Sequence, residues 1–480
     1  MTKKIILICF VILVESCLLY SQNPAKAYLK YAKGISQVDI ADTVKNNAGD
    51  AIGEEWESFP ISEGNVRQSK PTLDELPTAV YQHHINGTTI KVSEIVDTIP
   101  AIWGPISTDA IIEQIDSEDP SLRSIQFDFY GVGQVVTIPK EYGSFHPNGI
   151  SEKEVSEFWH KLSGGKYSSI IADCNKYKIA LGYNDWAVLK WTQALAEAIY
   201  PDNINSEQEI FTVFLLNQMG LRVRAARSDD KLITMFSSLQ NVYARKFIVL
   251  ETYPYYLVED LNIKSNVYTY RIDYARTTRP LDLRISSPIM VGDNTNQLKI
   301  SKYSSVWENT LNMSLPRSLM DFYNDYPQMD AKVYASAVPN QDFIGAFQNV
   351  LADSKMGEVD TINQLLSFLH LDFKYMVDQE QFGKEKPFFL EENLLYPYND
   401  CEDRSILLSA LLRHLLGKKV VLLDYKDHMA TAVCVKEEIK GDYLVLNNDR
   451  YYVCDPTYIG STIGMSMPEY RNKPVTVYVL

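Results

Sequence analysis

A thiol, an imidazole and a carboxylate follow one another near the C-terminus, each at the edge of a recognisable element. Cys401 opens a helix-like run, His428 starts a segment of alternating apolar residues, and Asp455 ends another such segment. His428 and Asp455 each lie 27 residues after the preceding member, which leaves room for a helix, a strand and a hairpin. Nucleophilic catalysis by a thiolate needs an imidazole base that a third group orients. The order therefore predicts a site in which the ring lies between the sulfur and the carboxylate.

The elements around the thiol must hold it in one direction and favour its ionised form. Asp400 is a predicted N-cap, and the first-turn amides and the helix dipole stabilise a thiolate at such a position. Glu402 and Asp403 act against this at the sulfur, because nearby negative charge raises the pKa of a thiol unless Arg404 or His428 offsets it. The sequence leaves the balance of these two effects open.

Other histidines are weaker candidates for chemistry. His83 and His84 could bind a metal, but no acidic or thiol partner lies near them in the sequence, so solvated surface is the better interpretation. His370 and His414 lie on helix-like runs and are predicted to be structural or solvated. Since no CxxC or His/Cys cluster occurs, we predict no metal and no other cofactor.

The N-terminus is typical of an export signal. Two lysines precede an apolar run that extends to Tyr20, and Ser21 is a plausible cleavage point. Cys17 raises the alternative of a lipid anchor, which Glu15 disfavours because it fits a lipobox poorly. Residues 1–21 are therefore a predicted signal peptide, the mature chain is expected in the periplasm or outside the cell, and no later segment is apolar enough to span a bilayer.

Net charge and cysteine usage exclude several classes of protein. The formal net charge is −15, and it becomes −16 once the two lysines and the glutamate of the leader are removed. Such a chain repels nucleic acid and anionic membranes. Four cysteines remain after the leader, too few for a disulfide scaffold: Cys174, Cys401, Cys434 and Cys454. Strand parity puts Cys434 and Cys454 on opposite faces of a sheet, so we expect free thiols there.

Hydrophobic periodicity predicts an α+β protein with several packed units. Residues 22–150 are interpreted as a β-rich region, with a hairpin at Asn86-Gly87. Residues 151–262 read as helices followed by strands, and residues 346–480 repeat that order. Between them, residues 263–345 alternate strongly and predict an antiparallel β domain; Ala331–Tyr334 is one of its expected strands.

The two helix-then-strand segments can be superposed as an internal duplication. At an offset of 197 residues Gly417 falls on Gly220, and near the C-terminus residues 451–455 fall on 255–259 at an offset of 196. The chemistry is not repeated, because Ile204 falls under the thiol and Lys231 under the imidazole. The first copy is therefore expected to be degenerate.

The motifs around the three residues resemble those of the transglutaminase-like superfamily, a relative of the papain-like cysteine peptidases. They are YNDCED at 398–403, DHMATA at 427–432 and CDPT at 454–457, and the resemblance covers about residues 360–464. It implies a C-terminal papain-like core with Cys401, His428 and Asp455 as catalytic residues. The thiolate would attack a peptide or carboxamide carbonyl, and water or an amine would resolve the acyl-enzyme.

The resemblance also directs attention to the oxyanion and to metals. Tyr398 and Gln381 are candidates for the second oxyanion donor beside the Cys401 amide. Residues 378–398 are expected to form a loop over the site. The calcium sites of animal transglutaminases have no recognisable counterpart here.

Two functions are consistent with these observations. The first is an exported cysteine-dependent hydrolase or acyltransferase that acts on a peptide or protein, with hydrolysis favoured and an envelope substrate plausible from location only. The alternative is a non-catalytic envelope-binding or scaffold protein that keeps the fold, which the degenerate copy and the large accessory region would suit. A redox role is disfavoured because Cys401 has no resolving cysteine nearby in the sequence.

Overall fold

A computed structural model describes residues 56–64, 90, 92–97, 119–201, 205–261, 263, 266–292, 295–352 and 356–480. Over these ranges the chain is a mixture of helices and mainly antiparallel sheets, which confirms the α+β class. The predicted signal peptide, the Asn86-Gly87 hairpin, Ile204 and the His83–His84 pair lie outside the described residues.

The helices form three groups along the chain, two of which precede runs of strands. In chain order they are α1 (Glu152–Gly164), α2 (Ser168–Ala180), α3 (Asp185–Ile199), α4 (Asn205–Gln218), α5 (Arg317–Asn324), α6 (Ala331–Ser336), α7 (Gln341–Leu351), α8 (Glu358–Leu371), α9 (Asp378–Phe382), α10 (Glu392–Leu395) and α11 (Cys401–Leu416).

The strands build two six-stranded sheets and four two-stranded ones. They are β1 (Trp56–Phe59), β2 (Val92–Asp97), β3 (Leu122–Phe129), β4 (Val132–Pro139), β5 (Val223–Ser228), β6 (Lys231–Phe236), β7 (Val242–Tyr243), β8 (Phe247–Leu250), β9 (Tyr253–Leu257), β10 (Val267–Tyr270), β11 (Gln297–Ser304), β12 (Asn309–Pro316), β13 (Gln328–Met329), β14 (Lys374–Tyr375), β15 (Tyr398–Asn399), β16 (Val420–Tyr425), β17 (His428–Cys434), β18 (Tyr443–Leu446), β19 (Asp449–Cys454) and β20 (Val475–Val479).

The two large sheets have matching strand orders. The first runs β1-β10-β5-β6-β9-β8 and the second β2-β20-β16-β17-β19-β18. All neighbouring strands are antiparallel except β2 and β20, which are parallel. The equivalent pair of the first sheet, β1 and β10, is antiparallel. Helix α4 packs on β5 and β6 as α11 packs on β16 and β17. We call the first sheet with α1–α4 the upstream unit and the second sheet with α8–α11 the downstream unit.

The match extends to helix ends and to strand register. Gly220 follows α4 and Gly417 follows α11, both with positive φ, a conformation that glycine adopts without steric cost. In the downstream unit Thr431 pairs with Cys454. In the upstream unit the Val258 amide donates to the Thr234 carbonyl, so Val258 is opposite Thr234 as Cys454 is opposite Thr431. The next residues, Glu259 and Asp455, therefore occupy equivalent positions in the two units.

Apolar side chains on the helical side of both sheets form one continuous core, and each sheet has a smaller cluster on its other face. Cys454 belongs to the shared core and Cys434 packs against the smaller downstream cluster, so the two thiols lie on opposite faces as parity predicted. All four cysteines named above are free.

The region between the units differs from the predicted β domain. Residues 263–345 contain one two-stranded antiparallel sheet, β11–β12, while β10 completes the upstream sheet. The strand expected at Ala331–Tyr334 is wrong, because this segment is helix α6. Helix α6 buries four of its residues, Ala331, Val333, Tyr334 and Ala335, and packs against α11. An alternation over only four residues is therefore as compatible with one buried helical turn as with a strand.

Candidate active site

Cys401 is the first residue of α11, held there by a complete capping box. Asp400 Oδ1 accepts the Glu402 and Asp403 amides at 2.8 and 3.1 Å, and Asp403 Oδ2 accepts the Asp400 amide at 3.2 Å. The predicted N-cap is confirmed. Since the first-turn amides and the dipole face the helix start, the thiol lies where a negative charge is stabilised.

The acidic residues next to the thiol are buried and engaged. Asp403 Oδ1 accepts the Phe388 amide at 3.1 Å, so this carboxylate ties the preceding loop to α11. Arg404 donates to the Phe373 carbonyl at 3.0 Å, and its guanidinium lies over the Tyr375 ring. Burial lowers the pKa of Arg404 to about 10, although nearby negative groups oppose this shift. Its charge therefore offsets part of the acidic field at the sulfur.

The imidazole and the carboxylate form a direct pair. His428 Nε2 is 2.9 Å from Asp455 Oδ2, and both residues are buried. Asp455 Oδ1 accepts the Thr457 amide and hydroxyl at 3.0 and 2.9 Å and the Tyr458 amide at 3.2 Å. These bonds fix the carboxylate, and the carboxylate in turn fixes the ring.

The charges of this pair reinforce each other. Burial alone would lower the pKa of His428, but the Asp455 carboxylate and the Cys401 side chain raise it to about 10. Burial would likewise raise the pKa of Asp455, yet His428 and the Thr457 bonds hold it below its usual value. An imidazolium beside an ionised carboxylate is the resulting form at neutral pH.

The thiol lies close to the imidazole ring. His428 Nδ1 is buried and makes no hydrogen bond of normal length and angle with any described residue. The Cys401 side chain is nevertheless close enough to raise the pKa of the ring. The sulfur is therefore a neighbour of the ring rather than an aligned partner, and catalytic hydrogen bonds often tighten only in the substrate complex.

A tyrosine that the sequence did not indicate adjoins the sulfur. Tyr375 lies on β14, which pairs in parallel with β15 so that Tyr375 is opposite Asn399, two residues before the thiol. The pKa of Tyr375 is raised, first by burial and then by the charge of Cys401 and a side-chain hydrogen bond to Cys401. Its phenol therefore stays protonated and can donate. A two-residue parallel pairing leaves no local sequence signal.

The two predicted oxyanion donors lie together on the neighbouring loop. Gln381 Nε2 donates to the Tyr398 carbonyl at 3.3 Å, and Gln381 Oε1 is buried without a hydrogen-bond partner among the described residues. Tyr398 precedes Asn399 on β15, so its side chain faces away from the side that Tyr375 shares with Asn399. Tyr375 is thus better placed for the sulfur than Tyr398.

Aromatic side chains close the site. The Tyr470 ring is centred 4.5 Å from the His428 ring and 5.1 Å from Tyr425. Lys473 Nζ lies 4.1 Å from the centre of the Tyr470 ring. The exposed fractions of Cys401, His428 and Asp455 are 0, 3 and 2%. Within the described part of the chain, the thiol therefore has no exposed surface.

The other histidines have separate roles. His370 Nε2 lies 3.1 Å from the Asp455 carbonyl, and its Nδ1 accepts the Gly460 amide at 3.4 Å. Burial lowers the pKa of His370, so the ring stays neutral and supports the backbone that carries the acid. Burial also lowers the pKa of His414, to about 4. Both fit the structural role expected of them.

Within the described ranges, no group of three or more His, Cys, Asp or Glu side chains is arranged to hold a metal ion. In the same part of the chain no helix has the length and apolarity to span a bilayer. Comparison with family models, with curated proteins and with solved structures finds no match.

Proposed function

We propose that this protein is a cysteine-dependent hydrolase or acyltransferase of transglutaminase-like fold, in which Cys401, His428 and Asp455 act on a peptide or carboxamide bond. The observation that carries the proposal is the 2.9 Å bond from His428 Nε2 to Asp455, which leaves Nδ1 unbonded on a ring that adjoins a thiol at a helix N-terminus.

Each residue has a role that its surroundings support. The Cys401 thiolate attacks the substrate carbonyl, and the charge that forms on the carbonyl oxygen is met by the Cys401 amide and by a side-chain donor. Tyr375 is the donor that best fits the geometry, with Gln381 and Tyr398 as the alternatives on the loop. His428 protonates the leaving amine from Nδ1 and leaves a thioester. Water then attacks with His428 as base, or an amine does so in transfer.

Access to the sulfur requires a movement. Because Tyr470 covers the His428 ring and the thiol is fully buried, a substrate carbonyl reaches the sulfur only after the segment that carries Tyr470 shifts. Met467 to Lys473 contains no helix or strand. Its backbone bonds are local, from the Tyr470 amide to Met467 and from the Lys473 amide to Tyr470, so this stretch can shift without breaking a strand ladder. Hydrolysis is proposed ahead of transfer, with a peptide or protein of the cell envelope as the substrate.

A thiol-reactive probe tests the chemistry directly. In a Tyr470→Ala background, which removes the ring over His428, alkylation of Cys401 at pH 7 should be much faster than alkylation of Cys434, a partly exposed thiol on β17 whose pKa burial raises. Adding His428→Ala should remove that advantage, whereas adding His414→Ala, which changes a ring outside the site, should keep it. Equal rates for Cys401 and Cys434 in the uncovered protein would count against an activated thiolate.

The closed site favours a second candidate function, a non-catalytic binding or scaffold protein. A fully buried thiol needs no catalysis to be retained, since buried cysteines pack as small apolar groups. The same experiment separates the two, because a scaffold predicts slow alkylation of Cys401 that His428→Ala leaves unchanged.

A further inference from the structure

A cavity separate from the thiol lies between the upstream unit and the loop that leads to α11. Its volume is about 580 Å³, a size typical of small-molecule sites. Trp186, Arg245 and Val258 line it from the upstream side, and Phe382 and Tyr396 line it from the downstream side. Neither Cys401 nor His428 nor Asp455 is part of its wall.

Arg245 is the unusual residue of this wall. Its Nη1 donates to the Leu257 carbonyl at 3.2 Å and to the Val258 carbonyl. No described carboxylate lies within 4.0 Å of the guanidinium, and its other nitrogens make no hydrogen bond with described residues. Burial lowers the pKa of Arg245, and nearby acids only partly oppose this. A largely covered cation without an ion-pair partner is costly unless an anion is supplied.

The aromatic part of the wall suits an apolar body with one charged end. Six tyrosine and phenylalanine side chains belong to it: Tyr243, Tyr323, Tyr326, Tyr334, Phe382 and Tyr396. The Arg245 guanidinium lies 5.6 Å from the centre of the Trp186 ring. Lys384 lines the same cavity and is exposed, with no ion pair among the described residues, whereas Lys386 is already paired with Glu392. Two cations therefore remain available to a ligand.

Two of the acids that line the cavity lie near another lysine. Lys190 Nζ is 3.7 Å from Glu259 and 4.0 Å from Asp325, so it offsets the negative charge of both. Glu259, Asp260 and Asp325 also act on Arg245 and partly oppose the fall of its pKa, but none of them forms an ion pair with it among the described residues. Arg245 and Lys384 thus remain two cations without a direct ion pair beside aromatic side chains.

We propose that this cavity binds a carboxylate attached to an apolar or aromatic body, such as the C-terminal residue of a short peptide. Arg245 holds the carboxylate through its unbonded N–H groups, since the planar guanidinium matches carboxylate geometry, and Lys384 adds a second positive charge at the rim. The tyrosines and Trp186 enclose the side chain. The site binds whether or not Cys401 is a nucleophile.

A matched pair of ligands tests the charge requirement. Binding of N-acetyl-phenylalanine and of its amide to the full chain is measured by calorimetry and by the fluorescence of Trp186. We expect saturable binding of the acid and at least tenfold weaker binding of the amide, because the two differ only in the carboxylate. Equal affinity for both, or no binding of the acid, would overturn the proposal.

Variants locate the site. Arg245→Gln should weaken acid binding about tenfold, and Lys384→Glu should weaken it several-fold, while Arg450→Gln removes an exposed arginine elsewhere and should change nothing. If Arg245→Gln fails to fold because two carbonyls lose their donor, Lys384→Glu on the exposed rim decides the matter. Unchanged affinity in Lys384→Glu and in a folded Arg245→Gln would refute the site.

Parallel binding to Cys401→Ala separates this proposal from the catalytic one. We expect the affinity of that variant for the acid to equal that of the unaltered protein. Slow alkylation of Cys401 together with charge-dependent binding would contradict the catalytic proposal and support the carboxylate site. Fast alkylation without binding of the acid would support the catalytic proposal and contradict the carboxylate site.

Discussion

At the scale of single residues, the proposed chemistry depends on how strongly Asp455 holds His428 in its charged form. The carboxylate accepts from the ring at 2.9 Å and is fixed by three donors of its own, from Thr457 and Tyr458. A buried imidazole without this partner would be neutral, because burial opposes its charge. The acid therefore sets the protonation state of the base as well as its direction.

Asp455→Asn tests this dependence. We expect the pKa of His428, about 10 in the unaltered protein, to fall markedly because the largest group that raises it has lost its charge. Nuclear magnetic resonance of labelled histidine rings during a pH titration measures it. His414, whose pKa is lowered to about 4 by burial and by the neighbouring Arg413, serves as the internal control and should not move. A His428 titration that does not move would show that Asp455 is not its charge partner.

The same shift predicts how stability depends on pH. A ring whose pKa is raised on folding, from about 6.5 to about 10, stabilises the fold fully below pH 6.5, and this contribution is lost as pH rises to 10. The loss of free energy of unfolding caused by His428→Gln should therefore be larger at pH 6 than at pH 9.5. Urea unfolding of both proteins at the two pH values measures the difference, and a loss that grows with pH would contradict the assignment.

At the scale of elements, the start of α11 joins stability to reactivity. Asp400 satisfies two first-turn amides and Asp403 satisfies the Asp400 amide, so the cap holds the helix start that carries the thiol. Helix α1 begins with an equivalent capping box built from Ser151 and Glu154, far from any proposed chemistry. The two caps form a natural comparison.

Asp400→Ala and Ser151→Ala should each lower the free energy of unfolding by about 1 kcal/mol, the usual cost of losing an N-cap. Only Asp400→Ala should also change the rate of Cys401 alkylation, because it alters the geometry and field at the sulfur. Chemical unfolding and alkylation of both variants measure the two effects. An equal change of rate in Ser151→Ala would point to general loosening.

The segment that carries Tyr470 is the second element that decides access. Tyr470→Ala should raise the rate of Cys401 alkylation severalfold, since it removes the ring that covers His428. Tyr303→Ala, on the exposed face of the β11–β12 hairpin, is the matched control and should leave the rate unchanged. Alkylation of folded variants at pH 7 measures this, and a rate that stays constant in Tyr470→Ala would place the barrier elsewhere.

Much of this local structure follows from the sequence, for identifiable reasons. Helices α4 and α11 carry apolar faces and are followed by glycines with positive φ. Both caps of α11, Asp400 at its start and Gly417 at its end, can be identified from the sequence. Tyr375 was missed because its position depends on pairing with β15, more than 20 residues away. Segment 331–336 was misassigned because a short alternation fits one helical turn as well as a strand. The closure of the site by Tyr470 depends equally on tertiary packing.

At the scale of the whole molecule, two sheets of the same strand order hold very different sites in equivalent places. Where the downstream unit has a closed site with an imidazole, the upstream unit has an open cavity of about 390 Å³ lined by Glu209, Glu259 and Lys190. Lys231 begins β6 as His428 begins β17, and Glu259 follows β9 as Asp455 follows β19. Among the residues that the structure describes, the upstream unit thus has an acid and a cleft in the equivalent place, and no thiol or imidazole lines that cleft.

Glu209 makes this difference measurable. Burial raises its pKa to about 7, against a hydrogen bond from Thr234 that lowers it. A carboxyl whose pKa is raised on folding contributes fully to stability only at a pH where it is protonated in both the folded and the unfolded protein. For Glu209 this contribution is lost as pH rises from about 4.5 to about 7. Glu209→Gln should hence raise the melting temperature at pH 8 and change it little at pH 4.5.

Glu197→Gln, which changes an exposed acid of the same cavity, is the control and should have little effect at either pH. A Glu209→Gln variant that melts lower at pH 8 would show that the ionised carboxylate is held by a partner, and the upstream cleft would then be a charged site in use rather than the remnant of one.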